Sequence, residues 1–262
     1  MSIWERFTAI YYYLPLIYNW TMSCINFSHF GKGKKTLVLF PGWISPAEKE
    51  PKFIRKLSEK YSILSVNLPG YSHNQDTNRY HNFDNLTKEL HAELEKKNIR
   101  PIAFIGFSMG CRLIFSYNKM YPNMIKDIFI GSPLGSFELP NWASLIFRYE
   151  FLIQILRKNA VFSQFCVNMA LQNISSDPRA TFKPKYVSLI GAFDSLVGVI
   201  NCVERINAKP FSLYIYGEKD KYLKEAQNKN IQNITIVKGA EHNCVRGNEE
   251  ELVRIIDEEV DT

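Results

Sequence analysis

Cysteine is sparse and scattered in this chain. Five cysteines in 262 residues form no CxxC pair, and the five histidines do not cluster, so neither a disulfide framework nor a zinc knuckle is expected. A reducing cytoplasmic setting is the default. Internal repeats and low-complexity linkers are missing too, which excludes solenoid, collagen-like and fibrous classes. The longest apolar stretch, residues 7–20, is short, rich in tyrosine and broken by Pro15, and it comes after Glu5 and Arg6 where a signal peptide would carry net positive charge. It reads as a packed N-terminal element, with peripheral membrane contact as the lesser alternative and no stable insertion. A focused charge is also lacking. The formal charge of +6 divides into a stretch, 31–60, with eight basic and three acidic groups and a tail, 246–262, with seven acidic and two basic. A nucleic-acid face therefore has little support. The GKGKK run at 31–35 precedes a strand pattern instead of a helix, so it reads as a basic turn and not a phosphate loop.

Apolar material is plentiful: hydrophobic residues make up 46% and aromatics 14%, enough for a substantial core. Short continuous apolar runs at 36–40, 63–68, 102–107 and 125–131 suit strands buried on both faces of a parallel sheet. Between them, Phe53 and Leu57, then Leu86, Leu90 and Leu94, then Leu113, Ile114 and Tyr117 fall at helical spacing. The alternation predicts an α/β fold with a mostly parallel central sheet. From 134 to 208 the pattern becomes helical without strands, and strand runs return at 211–216 and 234–237 before a closing helix near 249–260. A core built from 1–133 and 209–262, interrupted by a helical lid over 134–208, is the predicted organisation.

Gly106-Phe107-Ser108-Met109-Gly110 is a GxSxG placed directly after a strand run and before a helix pattern. Small residues at both ends permit the sharp turn that lifts a serine oxygen off the sheet edge, and the new helix aims its N-terminal amides at an oxyanion there. A serine hydroxyl is a weak nucleophile until a base takes its proton. His29, His73, His81 and His91 all precede the serine and read as surface or hydrogen-bonding residues. His242 lies past the last strand, where a loop at the carboxyl edge of the sheet would hold it over Ser108. The acid to orient it should come from the loop after 211–216. Asp220 is the choice there, with Glu218 as local competitor and Asp194 as a remoter one. The backbone N–H groups of Trp43 and Met109 are the candidate oxyanion hole. No metal or organic cofactor is implied.

These segments, in order, resemble the α/β-hydrolase family, of the lidded carboxylesterase type. Leu39 to Trp43 (LFPGW) is similar to the family's HGxG segment, Asn67 to Asn74 (NLPGYSHN) to DLPGxGxS, GFSMG to its nucleophile elbow, and YGEKD with GAEHN to its acid and histidine loops. Within the family the arrangement is especially similar to the pimeloyl methyl ester carboxylesterases of biotin synthesis. Two departures stand out: Pro41 replaces the usual histidine, and Ile44 stands where a second glycine is common, so a differently shaped oxyanion loop is expected. The resemblance implies a serine hydrolase of small to medium acyl esters or thioesters, with an acyl carrier as an additional partner. Its lid would line an acyl site with Trp142, Phe147, Phe151, Phe162, Phe165 and Met169, alongside Trp43. The alternatives are a non-hydrolytic binding module, or C–C hydrolase, peptidase or perhydrolase chemistry on the same triad. Dehalogenation is disfavoured, because it needs a carboxylate where Ser108 stands.

Overall fold

The structure is a computed structural model, and the residues it describes are 24–78, 80–134, 147, 149–175, 179–201, 209 and 212–261. Seven strands form one sheet: β1 (Asn26–Phe30), β2 (Thr36–Phe40), β3 (Ser62–Asn67), β4 (Ala103–Phe107), β5 (Lys126–Ile130), β6 (Leu213–Gly217) and β7 (Ile234–Val237), in the order β1-β3-β2-β4-β5-β6-β7. All neighbours pair in parallel except β1, which runs antiparallel to β3 at the edge. The apolar runs account for β2 to β7. β1 escapes such a reading because NFSHF is half-exposed along its length, as an edge strand can be.

Period-two alternation sorts each strand's side chains onto two faces. Val38, Phe40, Phe104, Phe129 and Tyr214 enter one core. It is covered by α2 (Phe83–Lys96), α3 (Met109–Met120) and the helices inserted between β5 and β6. Leu37, Leu39, Ile105, Ile128 and Ile215 enter a second core on the opposite face, against α1 (Pro51–Ser58) and α8 (Glu249–Asp261). α8 buries Leu252, Ile255 and Ile256, with Val253 packed at the margin.

The described helices of the insertion are α4 (Glu150–Leu156), α5 (Ala160–Ser175) and α6 (Leu189–Asn201). α7 (Lys221–Asn228) comes after β6 and has no clear sequence signal, being eight residues long and mostly charged or polar. Trp142, the N-terminal apolar segment and Cys202 lie outside the described residues. No helix among the described residues is long and apolar enough to cross a membrane.

One ion pair staples the insertion together. Arg157 is 1% exposed, and its Nε donates to Asp194 Oδ1 at 2.9 Å while Nη1 donates to the Thr77 carbonyl at 3.0 Å. Asp194, the remoter candidate for the catalytic acid, is thus committed to Arg157. Truncating one partner strands the other as a buried charge, so Arg157→Met should cost about 3–5 kcal/mol and lower the melting temperature. The double variant Arg157→Met/Asp194→Leu should recover most of that loss. A thermal melt of both variants checks it.

Candidate active site

The strand-to-helix turn at Ser108 is as sharp as its glycines allow. Ser108 sits at φ 46°, ψ −106° between β4 and α3, and its N–H donates to the Ile130 carbonyl at 2.8 Å. A positive φ is costly for a residue with a Cβ and is stored as strain at the tip. The flanking glycines are needed for space: a Cβ on Gly110 would lie 2.5 Å from the Phe40 carbonyl oxygen, and one on Gly106 would lie 2.8 Å from the Cys111 nitrogen. Cys111 braces the turn from below, its thiol donating to the Gly106 carbonyl at 3.2 Å.

Two loops at the carboxyl edge converge on this serine. His242 Nε2 lies 3.0 Å from Ser108 Oγ, and His242 Nδ1 lies 3.0 Å from Asp220 Oδ2. The Asp220 side chain is fully buried. Its second oxygen, Oδ1, accepts the Tyr222 N–H at 3.0 Å, so Asp220 is also the N-cap of α7. The carboxylate is therefore held from two sides, with Oδ2 aimed at the imidazole. Glu218 does something else: its Oε2 accepts the Gly239 N–H at 2.8 Å and ties the strand end to the histidine loop. The two loops press together, and a Cβ on Gly217 would fall 2.1 Å from the Glu241 carbonyl oxygen. Tyr222 packs edge-on against the His242 ring, with centroids 5.3 Å apart.

Two thiols close to this site are silenced by their surroundings. Burial, and then the Asp220 charge, push the Cys244 thiol up to about 12, so it stays protonated and unreactive. The Cys111 thiol is likewise raised to about 12 by burial.

Trp43 and Ile44 form the tip of a two-residue turn closed by Gly42 and Ser45, which exchange backbone hydrogen bonds of 3.1 Å. Ile44 takes φ 51°, a left-handed backbone that favours glycine, and holds it at a cost in strain. Ser72, in the GYSHN turn, does the same at φ 48°. Neither the Trp43 nor the Met109 N–H has an acceptor among the described residues, which leaves both free for an oxyanion.

A cavity of about 160 Å³ opens beside Ser108. Its walls are the turn from Gly42 to Ser45, α1 residues Phe53 and Ile54, Phe107, Ile130 and Val245, with Leu171 and Ile174 of α5 on the remaining side. Trp43 lines it, as the sequence suggests. The described candidate aromatics of the insertion lie off this cavity, because an inserted helix must bury one face. Phe147 is buried against Phe193, and Phe162 packs edge-on to the same ring. Phe151 and Phe165 are exposed, and half-buried Met169 is not among the lining residues. Leu171 and Ile174 carry no distinguishing sequence signal, and α1 lines the cavity because the fold brings it beside the turn from Gly42 to Ser45.

Three of the other histidines have local partners. His29 Nε2 lies 2.8 Å from Ser62 Oγ, and His91 stacks on Tyr121 with centroids 3.7 Å apart. His81 is buried beside Cys24 and Glu89, the one group of metal-ligand types found close together among the described residues. There Cys24 Sγ lies 3.3 Å from His81 Nδ1, and the Cys24 N–H donates to Glu89 Oε2 at 2.7 Å, so the donors already engage one another.

Residues 35–243 match the model of a family described as the alpha/beta hydrolase fold. The chain is 26% identical to the uncharacterized hydrolase YugF of Bacillus subtilis strain 168 over 116 residues, which are 43% of this chain and 42% of that protein. The match thus spans less than half the length of the curated relative. Among solved structures, an esterase from Thermogutta terrifontis superposes with a TM-score of 0.66 at 16% identity, covering 91% of this chain and 94% of the other. A bromoperoxidase from Bacillus anthracis does so with a TM-score of 0.65 at 17% identity, covering 91% and 95%. At such identities the likeness is one of fold.

Proposed function

The chain belongs to the α/β-hydrolase fold family, and from that premise we propose that it is a serine carboxylesterase acting through Ser108, His242 and Asp220. One observation carries the reading: the unbroken run of two 3.0 Å contacts from Ser108 Oγ through both imidazole nitrogens to a buried carboxylate. Ser108 Oγ attacks the acyl carbonyl carbon while His242 Nε2 takes its proton. The carbonyl oxygen, now an oxyanion, is received by the Trp43 and Met109 N–H groups. As the tetrahedral adduct collapses, His242 returns the proton to the departing alcohol oxygen. A water then gives its proton to His242 and attacks the acyl-enzyme, and the acid leaves with Ser108 restored. Asp220 keeps the Nδ1–H tautomer and stabilises the imidazolium.

The substrate class is a carboxylic ester or thioester with a small to medium acyl group. The cavity is smaller than the ~300–1,000 Å³ usual for drug-sized ligands, which favours a short chain. The segment 134–208 serves as a lid over it through Leu171 and Ile174. Similarity to pimeloyl methyl ester carboxylesterases makes a monoester of a dicarboxylic acid, presented free or on an acyl carrier, the specific substrate to try. The free cysteines at 24, 111, 166 and 244 suit a reducing cytoplasmic setting.

Hydrolysis of p-nitrophenyl esters from acetyl to long acyl tests the reading, beside labelling by a fluorophosphonate. Turnover with a short-chain optimum and labelling that requires Ser108 are expected. A folded protein that neither hydrolyses any ester nor takes the label would instead be a binding module. Ile174→Trp should move the optimum to shorter chains, with kcat/KM for longer esters falling about tenfold or more as a wall is advanced into the cavity.

A further inference from the structure

The oxyanion turn is braced from outside. Ile44, at its tip, holds a left-handed φ of 51°, and a β-branched residue stays there only where its neighbours over-determine it. Lys49 donates its ammonium to the Ile44 carbonyl. On the other side of the same residue, the Tyr71 hydroxyl lies 3.3 Å from the Ile44 nitrogen.

The protons fix the direction of each hydrogen bond in this brace. The Ile44 N–H can only donate, so the Tyr71 oxygen accepts it. Tyr71 keeps its own hydrogen for Ser195 Oγ, 2.8 Å away, and Ser195 in turn donates to the Gly191 carbonyl at 2.7 Å. The result is one directional line, from the turn amide through two hydroxyls to a carbonyl of α6. Hydrogen bonds aligned in this way polarise and strengthen one another. Tyr71 is fully buried and does not line the cavity. Burial pushes its phenol up to about 12, so the proton the line needs is always present near neutrality. A second strand of the brace is independent of Tyr71: the Trp43 indole N–H donates to the Ala192 carbonyl at 2.9 Å. The Tyr71 turn is itself seated on the segment that leads into α6, with Ser72 N–H donating to the Tyr186 carbonyl at 2.7 Å and Ser188 N–H to the Gly70 carbonyl at 2.8 Å.

We propose that Tyr71 is a positioning residue of the reaction, one that fixes the aim of the Trp43 N–H through Ile44 and makes oxyanion stabilisation depend on the seating of α6. The inference rests on the reading of Ser108 as nucleophile and Trp43 N–H as an oxyanion donor. A residue acting this way leaves ground-state binding alone and is felt where negative charge develops on the carbonyl oxygen.

The test compares full-length wild type, Ser108→Ala, Tyr71→Phe, Ser195→Ala and the Tyr71→Phe/Ser195→Ala double variant on p-nitrophenyl butyrate. Inhibition is measured in parallel with a trifluoromethyl ketone of matching chain, whose serine adduct carries an oxyanion. Tyr71→Phe is expected to lower kcat about tenfold, the scale of one buried hydrogen bond, with KM within about twofold of wild type. Ketone affinity should fall by the same factor as kcat. Ser195→Ala should shift both in the same direction by less, and the double variant should be no worse than Tyr71→Phe, as expected for members of one line. A folded Tyr71→Phe protein with wild-type kcat and ketone affinity, or one changed only in KM or melting temperature, overturns the proposal. If Tyr71→Phe does not fold, Ser195→Ala decides alone, because it cuts the line at the helix and leaves the tyrosine ring packed; unchanged kcat there overturns it equally. Ester turnover that survives Ser108→Ala sinks the hydrolase reading and this inference with it, whereas turnover that needs Ser108 but ignores Tyr71 sinks this inference only.

Discussion

Ser108→Ala should lower kcat for ester hydrolysis by roughly 10⁵-fold or more while the protein stays folded. The hydroxyl is the only atom that can form the acyl-enzyme, and its loss leaves His242 Nε2, 3.0 Å away, with no proton to take from an enzyme group. Stability should change little, since alanine at φ 46° carries the same Cβ and the same strain. Ser108→Gly separates the two effects. It should be as inactive as the alanine variant yet more stable, by about 1 kcal/mol or more, because glycine adopts the left-handed backbone freely. Burst kinetics with a p-nitrophenyl ester and a thermal melt of the three proteins would read both quantities. An alanine variant with near wild-type turnover would remove Ser108 from the mechanism.

Asp220→Asn is the second large effect, a fall in kcat of about 10⁴-fold. The amide would present either a neutral oxygen or an NH₂ to His242 Nδ1, and in the latter case the imidazole is held in the wrong tautomer for accepting the serine proton. The substitution is informative because Asp220 has two duties, and asparagine performs one of them. Asparagine is a good N-cap, so the Tyr222 N–H keeps its acceptor and α7 keeps its start. The melting temperature should therefore hold while activity collapses. Asp220→Ala would lose both, adding about 1 kcal/mol of destabilisation from the missing cap. Equal melting temperatures for the two variants would mean that the cap contributes nothing.

The grouping of Ser108, His242 and Asp220 is legible from sequence because two of the three sit near a residue with a backbone requirement. Ser108 lies between two glycines that have no room for a Cβ, and Asp220 comes soon after Gly217, whose backbone is pressed against the histidine loop. Chain order then selects His242. Strands buried on both faces are legible for a similar reason, since Val38 to Phe40 and Phe104 to Ile105 have no solvent side to encode. Legibility fails where a role depends on a distant partner. Tyr71 looks like one more aromatic of the core, and its use emerges only when Ser195, 124 residues away, is brought to 2.8 Å. The described aromatics of the insertion carry a signal of the opposite kind. Phe147 and Phe162 pack on Phe193 and do not line the cavity beside Ser108, because the inserted helices bury one face against the sheet core they cover. β1 and α7 are inconspicuous because an exposed edge strand and a short charged helix carry little periodic apolar signal.

The place where the inserted helices leave the sheet has a consequence for how the molecule can change over evolutionary time. They depart after β5 and return at β6, and these strands are direct neighbours, paired at Ile128 and Leu213. The excursion of about 80 residues therefore begins and ends at nearly one point, and closing a longer or shorter loop between the same two points changes the entropy by only about 0.6 kcal/mol per doubling of length. Residues can be gained, lost or exchanged there without shifting the register of any strand or moving Ser108, Asp220 and His242 relative to one another. Substrate preference can drift on one timetable and the chemistry stay fixed on another, with the hydrogen bonds at Ala192 and Ser195 as the constraint that a newly acquired cover would have to rebuild.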